Sequence, residues 1–366
     1  MANQLFMIKP LTSLRFVFAL MVFVSHLGFV KEKDSTLASL FNNILYEGYI
    51  GVSFFFILSG FILSYRYQNE LLNGKTSKKS FYNARIARIF PLHLLTFLIA
   101  IPLTFYEFAQ DKLLYSVQAF TNITLTQSFV PNRIIYYSFN SPSWSISNEM
   151  FFYLLFPLIM VFFSRYKQYL KALIPLIIIL IPILSLKIPE IYHHQLFYIN
   201  PLFRIVDFII GILLYMIFKR YKEKKTHINF TYLEITTILI LVLFIAFHKF
   251  IPEVSRYSYY YWIPMSLLII VFAFQRGSLS KLLSHKVFMH LGHISFSFYL
   301  FHQLIIRYTL KINSKFFDFE NDILLIVFMF IMTLLVSHFG FIWFEKPMNR
   351  YTKNLLQKLK LGFKPI

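Results

Sequence analysis

The chain has no cysteine among its 366 residues. A disulfide framework, an iron–sulfur cluster and thiol chemistry are therefore excluded. Acidic side chains are scarce too, 16 Asp and Glu against 36 Lys and Arg, and charged residues of every kind reach only 14%. The resulting formal charge of +20 would suit a nucleic-acid binder. Here, however, the basic residues sit between apolar blocks, where they orient a membrane protein, so no nucleic-acid partner is expected. No helix shows His-Glu-x-x-His spacing and the histidines are scattered, so no metal site is expected. Only Lys9 precedes the first apolar run and no small-residue cleavage site follows it, so that run is expected to remain as an uncleaved helix. An internal repeat, a low-complexity tract and an appended soluble domain are all missing from the pattern.

What remains is apolar. Hydrophobic residues make up 57% of the chain and fall in blocks of about 20, the length that carries a helix across the hydrocarbon layer. The expected fold is all-α, a polytopic membrane protein of about ten transmembrane helices. The candidate spans are 11–30, 48–67, 89–106, 148–163, 172–187, 201–219, 230–248, 260–275, 288–309 and 323–344, with 345–366 as a basic cytoplasmic tail. Residues 1–366 form a single membrane domain in this reading. Lys and Arg cluster in alternate loops: Arg66 to Arg88, Arg165 with Lys167 and Lys171, Lys219 to Lys225, and Arg276 with Lys281 and Lys286. Such bias places these loops and both termini in the cytoplasm. Treating 112–130 as a span would invert every later loop, so it is read as an external or re-entrant helix. Tyr257, Tyr259, Tyr260, Tyr261 and Trp262 read as interfacial belt residues. Ser53, Gly60 and Ser64 share a face of the second span, where small residues admit a neighbouring helix.

The ionisable residues inside apolar runs are the candidates for chemistry, because a charge in the bilayer must face protein or a water-filled cavity. Arg15 and His26 lie 11 residues apart in the first run. That is close to three helical turns, so they share a face, roughly 16 Å apart along the axis. A neutral imidazole is well suited to take a proton near neutral pH. Arg85 and Arg88, at i and i+3 where a cytoplasmic loop enters the third span, are spaced to bind phosphate with paired guanidinium forks. Trp144 and Ser145, in Ser143-Trp144-Ser145, could hold a sugar by stacking and hydroxyl hydrogen bonds. Glu149 stands in the first turn of the span that follows, on the outer side, where the helix dipole favours a carboxylate. Arg204 and Asp207, also i and i+3, are expected to neutralise each other. His302 follows Tyr299 at mid-span. His338 and Glu345 share a face of the last span, and Glu345 is a candidate counter-ion for Arg15 or Arg88. His193, His194, His285 and His290 read as loop or interface residues.

Together these stretches resemble the bacterial membrane acyltransferases known as the acyltransferase-3 family. The matching pieces are Arg15 with His26 ten intervening residues later, Gly51-Val52-Ser53-Phe54-Phe55-Phe56 through Gly60, and Arg85-x-x-Arg88-Ile89-x-Pro91. Ser143-Trp144-Ser145 with Glu149, Tyr299-x-x-His302 and Glu345-x-Pro347 complete the series, which runs nearly the length of the chain. The resemblance implies transfer of an acyl group, usually acetyl, from cytoplasmic acyl-coenzyme A to a hydroxyl of a cell-surface carbohydrate or lipid-linked glycan. Arg15 and His26 would be the catalytic pair, and Arg85 and Arg88 would meet the coenzyme's phosphates. Trp144, Ser145, Glu149, His302 and Glu345 would be acceptor-side or supporting residues. Acyl-coenzyme A would be a co-substrate, with no permanently bound cofactor. The location implied is the bacterial cytoplasmic membrane, with membrane lipid around the chain. A hydrolase-like domain, appended in some relatives, would be absent or supplied as a separate extracytoplasmic partner.

Two other classes would also need buried Arg, His and Glu. A transporter or flippase of a charged or lipid-linked glycan would line a path with them, although repeated halves with broken helices are not evident. A polymerase or ligase of lipid-linked sugars would call for a larger outer loop than 107–147.

Overall fold

Each expected span forms a helix in the computed structural model, which describes residues 7–33, 35–224 and 227–358, and of 167–174 the backbone alone. Lys225, the tail beyond 358 and the side chains of Lys167 and Lys171 lie outside the described residues. The ten helices are α1 (Lys9–Ser25), α2 (Gly51–Leu72), α3 (Lys78–Ala100), α4 (Ser143–Arg165), α5 (Lys167–Lys187), α6 (Pro201–Tyr221), α7 (Phe230–Ala246), α8 (Trp262–Ala273), α9 (Lys286–Ile312) and α10 (Asp322–Phe339). A further helix, α11 (Lys346–Lys358), follows, and no strand occurs among the described residues.

Among the described residues six stretches are long and apolar enough to cross a membrane: Lys9–Val30, Thr36–Leu72, Lys78–Leu103, Ser143–Arg165, Pro201–Tyr221 and Asp322–Lys358. Three shorter apolar helices, Pro175–Lys187, Phe230–Ala246 and Tyr259–Ala273, accompany them. Helix α9 is longer, at 27 residues, but its buried face carries Ser295, Ser297, Tyr299 and His302. It is an interior helix with a polar seam. Leu154, Leu158 and Val161 on α4, and Leu324, Phe328, Ile331 and Leu335 on α10, point outward, as lipid-facing positions do. The chain is an all-α polytopic membrane protein.

The stretch 112–130 contains Lys112–Ile123, a helix of 12 residues. At about 18 Å it is too short to span. Its Leu113, Val117 and Phe120 are exposed while Gln118, Thr121 and Asn122 are buried. The polar side grips α4. Asn122 and Gln127 engage the Ser143 hydroxyl, and Ser147 donates to the Leu125 carbonyl.

Small residues set the closest helix contacts. A Cβ on Gly60 would stand 2.0 Å from the Phe208 carbonyl oxygen, and one on Gly211 only 1.9 Å from that of Ile57. Helices α2 and α6 thus touch backbone to backbone, the arrangement that small residues permit in lipid. Beside this seam, Arg204 and Asp207 form an ion pair at 2.9 Å with neither side chain exposed. Ser53 accepts from Arg204 at 2.9 Å, and Ser258 and the Trp262 indole donate to Asp207.

The expected aromatic belt at 257–262 is not one. Tyr257, Tyr261 and Trp262 are buried, because their polar tips find carboxylates: Tyr261 binds the buried Glu47 at 2.8 Å, the Trp262 indole the buried Asp207, and Tyr257 reaches the exposed Glu253 at 2.9 Å. A Tyr or Trp with a partner loses its reason to stay at the interface.

Candidate active site

Two cavities lie back to back within the bundle. The first, of about 430 Å³, is lined by Arg15 of α1, Val52, Phe55, Ser59 and Arg66 of α2, and Arg85 and Arg88 of α3. Ser145, Glu149 and Tyr153 of α4 and His293, Phe296 and Tyr299 of α9 complete it. The second, of about 340 Å³, is lined by Val22, Ser25 and His26 at the end of α1, by Tyr46, Tyr49 and Val52, and by Tyr137, Ser141 and Trp144. His194, Tyr198, Tyr257 and Tyr299 close it. Val52 and Tyr299 belong to both walls.

The first cavity is cationic. Its wall carries four arginines against the one carboxylate of Glu149. Arg85 donates to the Tyr67 hydroxyl at 3.2 Å and lies over the rings of Tyr67 and Tyr153. Arg88 lies over the Phe296 ring, its guanidinium carbon 6.0 Å from the centroid. Among the described residues neither Arg15 nor Arg88 makes a hydrogen bond or ion pair. Their donors face the cavity. Guanidinium groups held this way by aromatic rings present their forks to a phosphate or carboxylate.

Glu345 makes no direct ion pair with Arg15 or Arg88, although it lies near enough to act on the charge of both; it is buried and accepts from the Ser297 hydroxyl at 2.5 Å. His338 meets His290, read from the sequence as a loop or interface residue, ring nitrogen to ring nitrogen at 2.8 Å.

One expectation needs correcting, the place of Glu149. The expected span began at 148 and put this carboxylate at the outer end. Helix α4 begins five residues earlier, at Ser143, so Glu149 stands nearly two turns down and lines the arginine cavity. It accepts from the Ser59 hydroxyl at 3.3 Å and from Tyr153. The early start is possible because the polar residues of the first turns are all bound: Ser143 and Ser147 as above, and Asn148 to the Ile199 carbonyl at 2.9 Å. Ser145 lies 2.7 Å, hydroxyl to hydroxyl, from Tyr299 and lines the arginine cavity. Of the expected sugar-binding group, Trp144 alone lines the second cavity.

The second cavity is organised around His26. Helix α1 ends at Ser25 and His26 caps it, so its ring leaves the helix end instead of stacking along one face with Arg15. The two residues therefore line different cavities. His26 Nδ1 is 2.8 Å from the Val22 carbonyl and 3.4 Å from His302 Nε2, and His302 Nδ1 is 2.6 Å from the Tyr299 carbonyl. A carbonyl only accepts, so both Nδ1 atoms carry the proton in the neutral rings. That assignment leaves His302 Nε2 an acceptor and His26 Nε2 with a free lone pair. Val22 and His302 thus fix the tautomer that a general base requires. His302 is itself fully buried.

The structure brings in residues that sequence reasoning passed over. His194, read as a loop residue, bridges the hydroxyls of Tyr136 and Tyr137 at 3.1 and 3.0 Å. Tyr46, Tyr49, Tyr137, Tyr198 and Tyr257 wall the same space. With 24 tyrosines in the chain, no local pattern marked these five as one wall, and Tyr257 read as a belt residue.

Residues 9–339 match the family described as "Acyltransferase domain". Among curated proteins the chain is similar to Acyltransferase MdmB of Streptomyces mycarofaciens, 37% identical over 155 residues. That alignment covers 41% of this chain and 38% of the relative. No solved structure gives a significant match.

Proposed function

This chain belongs to the acyltransferase-domain family, and on that premise we propose that it transfers an acyl group, acetyl first among them, from acyl-coenzyme A to a hydroxyl of a cell-surface carbohydrate or related acceptor. The observation that carries the proposal is the pair of cavities meeting at Val52 and Tyr299, arginines in one and His26 in the other. An anionic donor and a hydroxyl acceptor need such separate rooms with one shared wall.

In this reading the arginine cavity opens to the cytoplasm of a bacterial cell, the side on which Lys and Arg cluster. Arg85 and Arg88 hold the coenzyme's phosphates, and Arg15 guides the acyl arm toward Tyr299. The acceptor hydroxyl enters beside His26 from the other side. His26 Nε2 takes the hydroxyl proton as the oxygen attacks the thioester carbonyl carbon. The tetrahedral intermediate collapses, the C–S bond breaks, and His26 returns the proton to the leaving thiolate. The Val22 carbonyl and His302 hold the imidazolium while it exists, as a buried partner does in other histidine-based acyl transfers. No covalent acyl-enzyme is required.

The test is turnover by the purified protein in detergent. Release of free coenzyme A thiol from acetyl-coenzyme A, dependent on an added glycan, is the expected result. A protein that moves labelled glycan across vesicles while leaving acetyl-coenzyme A intact would be a transporter instead.

A further inference from the structure

The two cavities differ in charge, and the difference specifies the acceptor. The arginine cavity carries ionised side chains on its wall. Among the described residues the wall of the histidine cavity contains no Asp, Glu, Lys or Arg. The nearest ionised groups stand outside its rings: the buried ones are matched, and the exposed Lys31, over the outer edge of Tyr46 at 5.9 Å, stays in solvent. Arg204 lies against Tyr198 but pairs with Asp207 at 2.9 Å. Glu47, which Tyr49 reaches at 3.4 Å, pairs with Arg256 at 2.6 Å. Arg133 and Glu253, of opposite sign, are exposed beside Tyr137 and Tyr257. In place of charge the wall presents aromatic rings, and among the described residues the hydroxyls of Tyr46 and Tyr198 make no hydrogen bond. Tyr198 is 8% exposed, so its free hydroxyl has only the cavity to face.

Resting on the reading of this cavity as the acceptor site, we infer that the unit acylated there is uncharged: a neutral sugar or polyol of about one or two rings, given a volume at the small end of ligand pockets. Its C–H faces lie on Trp144 and the tyrosine rings, and its hydroxyls exchange hydrogen bonds with tyrosine hydroxyls and His26. A uronate, sulfate or phosphate brought into this wall would lose its hydration and find no cation, which is costly for a buried ion. An ammonium is the sharper rival, because aromatic rings attract cations. The available tyrosine hydroxyls and the need for a hydroxyl nucleophile favour the neutral unit.

The experiment is an equilibrium titration of the detergent-purified protein, following tryptophan fluorescence, with Trp144→Phe as the control that locates the signal. The probes are methyl glucoside and maltose as neutral units, methyl glucuronide and glucose 6-phosphate as anions, and methyl glucosaminide as a cation. Calorimetric binding of acetyl-coenzyme A is measured on the same preparation. Quenching by the neutral probes, at least tenfold tighter than by the anions and the cation and lost in Trp144→Phe, is expected. Equal or tighter binding of a charged probe overturns the inference. So does silence toward both neutral probes by a protein that binds acetyl-coenzyme A. Failure to bind acetyl-coenzyme A beside normal sugar quenching would overturn the donor assignment alone.

Discussion

His302 shows how a buried residue can act through another. It never reaches the cavity wall, yet its Nε2 accepts from His26 Nδ1 at 3.4 Å while its own Nδ1 is tied to the Tyr299 carbonyl. Removing it leaves His26 held by Val22 alone and free to tilt. His302→Ala is expected to lower kcat by about 10–100-fold, the usual scale for loss of an orienting partner, with little change in acceptor KM. His302→Gln keeps an acceptor oxygen at the same reach and is expected to restore part of kcat. An acceptor KM that rises in step with the loss, without rescue by Gln, would make His302 a packing residue only. Trp144→Ala tests the opposite wall: acceptor KM is expected to rise while coenzyme binding holds, since Trp144 is absent from the arginine cavity. An unchanged acceptor KM would reduce Trp144 to packing against Phe56 and Tyr198.

At the scale of elements, the seam between α2 and α6 carries the prediction. Each Cβ added there meets a carbonyl oxygen at about half a normal contact distance, so the helices must separate. Gly60→Leu is expected to destabilise the bundle by about 1–3 kcal/mol or more, read as a lower melting temperature in detergent; an unchanged melt would mean the seam yields freely. This seam was legible in the sequence, because Gly60 stood among Ser53 and Ser64 in an apolar run. The helices themselves were legible for the same reason, since about 20 apolar residues have one economical fold in lipid. The start of α4 was not. Ser143, Ser145, Ser147 and Asn148 read as a polar approach to a helix, and only the fold supplies the carbonyls and amides of 122–128 and 199 that let them enter it. Glu149 was therefore placed too close to the helix start. Arg204 with Asp207 was legible at i and i+3, but the tyrosine wall was not, because its members come from four separate stretches.

For the whole molecule, the account requires that the arginine cavity and the histidine cavity open to opposite sides of the membrane. A cysteine at Ser141, on the histidine cavity, should react with an impermeant thiol reagent in intact cells, and one at Lys222, beyond α6, should not. Labelling at Lys222 with protection at Ser141 would reverse the orientation. The central claim is that binding and chemistry are divided between the two cavities, and one paired measurement tests it most directly. Acetyl-coenzyme A binding by calorimetry and acetyl transfer are measured on the same purified, folded Arg88→Ala and His26→Ala proteins. Arg88→Ala should lose about 1.5–3 kcal/mol of coenzyme binding, the scale of a hydrogen bond to a charged group. His26→Ala should bind the coenzyme like the unaltered protein and turn over about a hundredfold more slowly or worse. Normal transfer by His26→Ala, or equal loss of coenzyme binding in both variants, would contradict the account.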